Sequence, residues 1–322
     1  MKILVSGGMG FIGNNFIRYI LKEYPEYKIL NYDSMTYAAN EDNLIGLGDN
    51  HLFVKGDICD EALLEKVMAG FDCVVNFAAH THVDNSIKDA DPFIETNVYG
   101  THTLLKVVNK LKIKKLIHIS TDEVYGSTGI EGKFNEGSSL KPSNPYSVSK
   151  ASADLFCKAF QSTYGTPIII VRPSNNYGPR QYPEKVIPLF TTNIIEGKKM
   201  PIYGKGANIR EWTYVEDTCH AIDIILHTGK IGETYNVSSN VAVNNLMLAK
   251  LILVKFNCHP DDIDQCIEFV EDRLGHDFRY SVDSSKIRKL GWRELCTFKE
   301  GLSKTIDWYM CNRSWWEKRK VT

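Results

Sequence analysis

The run Lys2-Ile-Leu-Val-Ser-Gly-Gly-Met-Gly-Phe-Ile-Gly13 decides the fold. Ile3, Leu4 and Val5 form a continuous apolar run, the pattern of a strand covered on both faces. Glycines follow at 7, 10 and 13, and then the amphipathic stretch Phe11–Lys22. A glycine triplet alone is only a turn, but between a strand and a helix it is a dinucleotide fingerprint. Gly7 permits the tight turn, Gly10 lets the backbone approach a pyrophosphate, and Gly13 packs helix against strand. The helix start offers N–H groups and partial positive charge to the phosphates. Asp33 ends the second strand, twenty residues beyond Gly13. A carboxylate there accepts hydrogen bonds from the adenine ribose and repels a 2′-phosphate, which favours NAD over NADP. Asp57 and Ile58 follow the third strand, where an adenine ring would lie. Phe77, Ala78 and Ala79 end the fourth, and small residues there let the dinucleotide lie against backbone.

Outward from this unit, apolar runs alternate with amphipathic stretches. Strands are predicted at Lys2–Ser6, Lys28–Tyr32, His51–Lys55, Cys73–Phe77, Lys115–Ser120 and Pro167–Arg172, and helices at Phe11–Lys22, Glu61–Met68, Phe93–Lys110 and Pro145–Tyr164. The alternation predicts an α/β fold with a Rossmann-type, doubly wound parallel sheet. After Arg172 the rhythm breaks, and the Pro-, Gly- and Asn-rich segments Pro173–Pro188 and Pro201–Asn208 read as loops of a smaller lobe. A late strand, Thr234–Val237, returns to the main sheet. We therefore expect an NAD-binding domain over residues 1–172 and a mainly substrate-binding lobe over 173–322, interlaced rather than joined by a linker.

The chain's 322 residues carry 43% hydrophobic and 24% charged side chains, enough for a large core without staples. A net charge of −1 provides no field toward nucleic acid or an anionic membrane, so no partner of either kind is expected. No apolar run reaches transmembrane length. The eight cysteines are scattered without metal-ligand spacing, Cys258 beside His259 being an isolated pair, and no metal is expected. Met1 leads straight into a strand without a secretory h-region, which implies reduced thiols and a cytoplasmic location.

Chemistry-bearing residues gather at two points. Tyr146 and Lys150 stand four apart in a helix opened by Ser143-Asn-Pro145, so both project from one face. A lysine ammonium near a phenol favours the phenolate, which would lower the tyrosine pKa and make it a general base for an alcohol. The fifth strand ends in Ser120-Thr-Asp-Glu-Val-Tyr-Gly126. Adjacent carboxyls at a strand's carboxyl end, Asp122 and Glu123, make an acid–base pair if one is held protonated and the other ionised.

Together these segments resemble the extended short-chain dehydrogenase/reductases, and within them the nucleotide-glucose 4,6-dehydratases of dTDP-glucose and UDP-glucose type. The resemblance spans essentially the whole chain. It is carried by Gly7–Gly13, Ala78–Ser86, Ser120–Gly126, Pro145–Lys150, Arg172–Pro179, Pro183–Lys185, Arg210–Asp217 and Arg273–Asp277. It implies that Tyr146, aided by Lys150, takes the proton of the sugar 4-hydroxyl while hydride passes from carbon 4 to NAD. Glu123 then takes the proton on carbon 5, and Asp122 protonates the departing 6-hydroxyl. Thr121 hydrogen-bonds the oxygen on carbon 4. The hydride returns to carbon 6, so NAD stays bound, and the 4-keto-6-deoxy product leads toward rhamnose or another deoxysugar.

The same resemblance implies cofactor contacts at Phe11, Ile12, Asp33, Ser34, Thr36, Asp57, Ile58, Thr96 and Asn176. It implies substrate contacts at Thr81, Asn175, Lys185, Val186, Tyr203, Arg210, Arg273 and His276, with Arg210 and His276 at the diphosphate. Asn245 is preferred to Asn244 as a further contact. The segment His80-Thr-His-Val-Asp-Asn-Ser86 departs from the bacterial dTDP-glucose pattern and looks more like plant-type UDP-glucose dehydratases, which leans the base toward uracil. Family members dimerise through two helices per subunit, here Phe93–Lys110 and Pro145–Tyr164. Two alternatives compete: a UDP-hexose 4-epimerase, which needs no base at carbon 5, and a catalytically silent NAD-binding protein, which would typically lack Tyr146 or Lys150.

Overall fold

The computed structural model describes residues 1–129, 131–259, 263–272 and 275–320. Seven parallel strands form the central sheet: β1 (Lys2–Ser6), β2 (Lys28–Asp33), β3 (His51–Lys55), β4 (Cys73–Asn76), β5 (Lys115–Ile119), β6 (Ile168–Pro173) and, much later in the chain, β10 (Thr234–Val237). Their order is β10-β6-β5-β4-β1-β2-β3. The chain leaves β1 in one direction and returns beside it at β4, which creates a topological switch point and a cleft at the strands' carboxyl ends. The expected fold class is the observed one.

Side-chain alternation along each strand explains the layers. Ile3 and Val5 face one way, against Phe16, Ile17 and Ile20 of α1 (Phe11–Glu23) and Ile222 and Ile225 of α8 (Val215–Thr228). Leu4 faces the other way. It joins Leu64 of α2 (Glu61–Met68), Leu104 and Val108 of α5 (Thr101–Leu111) and Cys157 of α6 (Pro145–Tyr164).

Strands and helices of this half lie within two residues of expectation, with one correction. The helix predicted over Phe93–Lys110 is composite. After α3 (Val83–Lys88), a short α4 (Asp91–Phe93) runs into a π-helical turn, Ile94–Gly100, before α5. Sequence periodicity does not distinguish that turn from regular helix. It buries Asn97, which donates to the His80 carbonyl at 3.0 Å and accepts from the His80 N–H at 2.9 Å. Single π-turns inside helices recur at functional sites for such reasons.

The rest of the chain is more ordered than the Pro- and Gly-rich segments suggest. β7 (Asn175–Tyr177) lies within the stretch read as loop and pairs in parallel with β9 (Ile209–Tyr214). β11 (Ala242–Asn244) runs antiparallel to β9. β8 (Met200–Tyr203), partly inside the other stretch read as loop, pairs with β12 (Ile267–Val270). Strands of three or four residues are too short to show an alternating pattern. They pack with α7 (Val186–Ile195), α9 (Asn245–Lys255) and α12 (Phe298–Cys311) around Phe190, Trp212, Leu248, Ile252, Leu302 and Ile306. Short helices α10 (Ile263–Cys266), α11 (Ser285–Lys289) and α13 (Arg313–Glu317) complete the described chain.

Candidate active site

One cleft follows the carboxyl ends of β1 to β6. Every residue assigned above to the cofactor lines it: Gly7, Gly10, Phe11, Ile12, Gly13, Asp33, Ser34, Thr36, Asp57, Ile58, Phe77, Ala78, Ala79, Thr96, Tyr146, Lys150 and Asn176. The three glycines differ in what forbids a side chain. A Cβ on Gly7, whose φ is +74°, would sit 2.5 Å from the Ala78 nitrogen. One on Gly13 would sit 2.4 Å from the Gly7 carbonyl oxygen. At Gly10 the nearest atom is 3.4 Å away, so protein packing does not demand glycine there. No side chain caps the start of α1, which lies beside it. An uncapped helix start next to open backbone fits a pyrophosphate. Asp33 is held by the N–H groups of Met9 and Met35, at 2.9 and 2.8 Å. Burial raises its pKa, and those two donors oppose the rise. The residues present therefore fit NAD.

The helix α6 starts where a capping box fixes it. Asn144 accepts from the Ser147 N–H at 2.9 Å, and the Ser147 hydroxyl accepts from the Asn144 N–H at 3.1 Å. Tyr146 and Lys150 then fall on the buried face, both in the cleft. Burial acts on both. The Tyr146 pKa is raised, first by burial and then by the Glu123 charge, while the Thr121 hydroxyl opposes the rise. The Lys150 ammonium donates to the Ile119 carbonyl at 2.7 Å. Burial lowers its own pKa to about 8. Spacing along a helix shows that two groups share a face, but not that both are buried and one is engaged.

Opposite lies the one-turn helix Asp122–Tyr125, capped by the Thr121 hydroxyl on the Glu123 N–H at 3.2 Å. Asp122 is buried, and one carboxyl oxygen accepts from the Thr121 hydroxyl at 3.3 Å. Burial, then the charges of Glu123 and Glu211, push its pKa well above the carboxylate range. The Tyr280 hydroxyl donates to the Asp277 carboxylate at 2.6 Å and stands 3.5 Å from Glu123. One carboxyl of the pair is thus held toward its protonated form, and the phenol of Tyr146 shares Thr121 with it.

Of the expected substrate contacts, Thr81, Thr121, Asn175 and Lys185 line the cleft. The Lys185 ammonium reaches the Thr81 carbonyl at 3.4 Å, and Val186 begins α7 next to it. Tyr203, Arg210, Asn245 and His276 sit outside that lining, on the second lobe. The Tyr203 hydroxyl donates to Asp84 at 3.4 Å, and the His276 ring stands edge-on to it at 6.2 Å. His276 also meets Asp272 at 2.6 Å. Arg210 is buried 4.3 Å over the Tyr280 ring and donates to the Asp277 carbonyl at 3.0 Å. Asn244 caps α9 through the Met247 N–H at 2.7 Å, which leaves the Asn245 side chain for other work. Arg273 lies outside the described residues. Sequence reasoning missed Asn97 and Tyr280. Neither belongs to a spaced motif, and each reaches the site only through the folded chain.

A Rossmann cleft closed at one end by a Tyr/Lys helix marks the extended short-chain dehydrogenase/reductases, and the Thr-Asp-Glu turn facing that helix narrows the class. Residues 4–305 match the sequence profile of the GDP-mannose 4,6 dehydratase family. The low-salt glycan biosynthesis protein Agl12 of Haloferax volcanii is 47% identical over 96% of this chain and 99% of its own. A dTDP-glucose 4,6-dehydratase of Streptomyces niveus is 45% identical, over 99% and 96%. The crystal structure of DesIV, a dTDP-glucose 4,6-dehydratase from Streptomyces venezuelae with NAD and TYD bound, superposes with a TM-score of 0.95 at 44% identity. The coverage is 99% of this chain and 100% of that one. The chain belongs to the nucleotide-sugar 4,6-dehydratases, NAD-dependent hydro-lyases of the extended short-chain dehydrogenase/reductase superfamily.

Proposed function

We propose that this protein converts dTDP-glucose to its 4-keto-6-deoxy derivative and water. The observation that carries the reading is the buried Asp122, held toward its protonated form beside Glu123 in the cleft that also holds Tyr146. Bound NAD supplies reversible hydride transfer, from carbon 4 at the start and to carbon 6 at the end. Tyr146 accepts the proton of the 4-hydroxyl, with Thr121 holding the same oxygen. Glu123 removes the proton on carbon 5, acidified by the new ketone. Asp122 gives its proton to the 6-hydroxyl as the carbon–oxygen bond breaks, so water leaves. A proton then returns to carbon 5 from Glu123. An epimerase has no use for this carboxyl pair, and a silent binder none for Tyr146 and Lys150.

The sugar's diphosphate is assigned to Arg210 and His276, whose basic side chains flank Tyr203 and Tyr280. Asn175, Lys185, Val186 and Asn245 are assigned to the hexose and nucleoside. Thymine replaces the uracil that His80–Ser86 suggested, because relatives 44–45% identical over nearly the full chain are named for dTDP-glucose. One methyl separates the bases, worth about 1–3 kcal/mol in a pocket. We further propose a cytoplasmic homodimer. The eight cysteines are unpaired, as a reducing compartment requires. Ile94, Tyr99, Val148, Leu155 and Phe156 expose apolar surface on the two helical segments expected to pair.

Parallel incubations with dTDP-glucose and UDP-glucose test the reading. The product of the preferred substrate should weigh one water less and absorb in the near ultraviolet in alkali. Release of a 4-epimer with unchanged mass would overturn it. Tyr146→Phe should still bind nucleotide yet turn over very slowly, and an unchanged rate would remove Tyr146 as the base.

A further inference from the structure

Arg172 heads the motif Arg172–Pro179, yet no role above uses it. It ends β6's hydrophobic run as a cation with 0% exposure. Its Nε donates to Asp154 at 2.8 Å, and its Nη1 to the Tyr125 hydroxyl at 2.6 Å. The guanidinium also lies 4.7 Å over the Tyr125 ring. Asp154 follows Lys150 by one turn of α6 on the same face. Tyr125 is the last residue of the one-turn helix that begins with Asp122 and Glu123. Its hydroxyl donates onward to Asn236 of β10 at 2.8 Å. One side chain therefore grips the helix of the base with one nitrogen and the turn of the carboxyl pair with another.

We propose that Arg172 is a positioning residue, a bracket that sets the spacing between the Tyr146–Lys150 helix and the Asp122–Glu123 turn so that both address one hexose ring. The proposal rests on the dehydratase reading. Stability alone is a poor reason for such a group, because well-packed apolar side chains replace buried ion pairs at little or no cost. A guanidinium suits the role of bracket, since its donors are fixed in a plane and do not lose their charge. Misplacement by about 1 Å can cost a hundredfold in rate, so a rigid tie between two catalytic elements has a function. The two feet serve different steps. Asp154 places negative charge near the Lys150 ammonium and so belongs to the oxidation at carbon 4. Tyr125 carries the carboxyl pair and so belongs to the elimination across carbons 5 and 6.

The test uses the full-length, NAD-loaded enzyme and dTDP-glucose carrying deuterium at carbon 4 or at carbon 5. Loss of keto product by the wild type would fail the dehydratase reading itself. Given wild-type turnover, the bracket is judged on the variants alone. Tyr125→Phe keeps the ring and removes the hydroxyl. It should lower kcat about ten- to a hundredfold with little change in KM, and enlarge the isotope effect from carbon 5 while shrinking that from carbon 4. Asp154→Asn should lower kcat with the reverse pattern. A kcat within twofold of wild type in Tyr125→Phe, or a lower kcat with isotope effects unchanged, overturns the proposal. The same isotope pattern in both variants also overturns it. If Asp154→Asn does not fold, Tyr125→Phe decides by its carbon-5 effect.

Discussion

Asp122 is the residue on which the chemistry turns, and its environment has a measurable sign. Burial among the charges of Glu123 and Glu211 raises its folded-state pKa well above the value near 3.9 of an unfolded chain. The folded protein therefore binds this proton more tightly than the unfolded one. Its contribution to stability is complete below the unfolded value and is lost as pH rises through the folded value. Asp122→Asn, which cannot ionise, should gain melting temperature relative to wild type as pH rises through that window. The same variant should lose roughly 10²- to 10⁴-fold in kcat, the usual worth of a positioned proton donor. Parallel melting curves at every pH would remove the raised pKa, and an unchanged kcat would remove the general acid. The elevated pKa of Tyr146 has the same origin, burial, which the Glu123 charge reinforces.

At the scale of elements, the β1–turn–α1 unit makes a prediction that separates folding from binding. Gly13→Ala puts a methyl against the Gly7 carbonyl oxygen at 2.4 Å, backbone that has nowhere to move. Overpacking of this kind typically costs about 1–3 kcal/mol, so the variant should melt lower and purify with less NAD. Gly10→Ala meets nothing closer than 3.4 Å and should melt near wild type while still losing NAD. Equal melting temperatures for the two variants would mean that the glycines are not divided between packing and cofactor. This unit was legible in the sequence because everything it needs is local: a run of apolar residues, three glycines and a helix within one stretch. Asp33 and the capped start of α6 were legible for the same reason. The π-turn holding Asn97, the three-residue strands beside Arg210, and the contact of Tyr280 with Glu123 were not. The π-turn keeps a helix-like pattern, and the strands are too short for a period. Tyr280 and Glu123 meet across 157 positions of chain. The Tyr146–Lys150 pair was legible in position, but no spacing encodes the Ile119 carbonyl that receives the ammonium.

Over the whole molecule, one apolar surface outside the cleft is the outer face of the π-turn, α5 and α6. Tyr99 is 57% exposed and Leu155 58%, and Val148 lies seven residues before Leu155 on the same helical face. Tyr99, His102 and Phe156 continue the patch as an aromatic seam, with ring centres 6.5 and 5.5 Å apart in succession. Contiguous apolar surface of this kind marks an association site on a soluble protein. The occupant that suits it best is the same face of a second copy, because a twofold interface needs only one self-complementary patch. Such a pairing packs four helical segments together and buries the back of the helix that carries Tyr146 and Lys150. The dimer would then brace the catalytic helix from the side away from substrate. Leu155→Glu sets two carboxylates into that apolar seam, one from each subunit, where both are desolvated on pairing. Sedimentation should show the wild type at twice the chain mass and Leu155→Glu at the mass of one chain. The variant should also turn over more slowly in proportion to its monomer fraction. A wild type that sediments as a monomer, or a Leu155→Glu variant that stays paired, would mean that this face does not hold the subunits together.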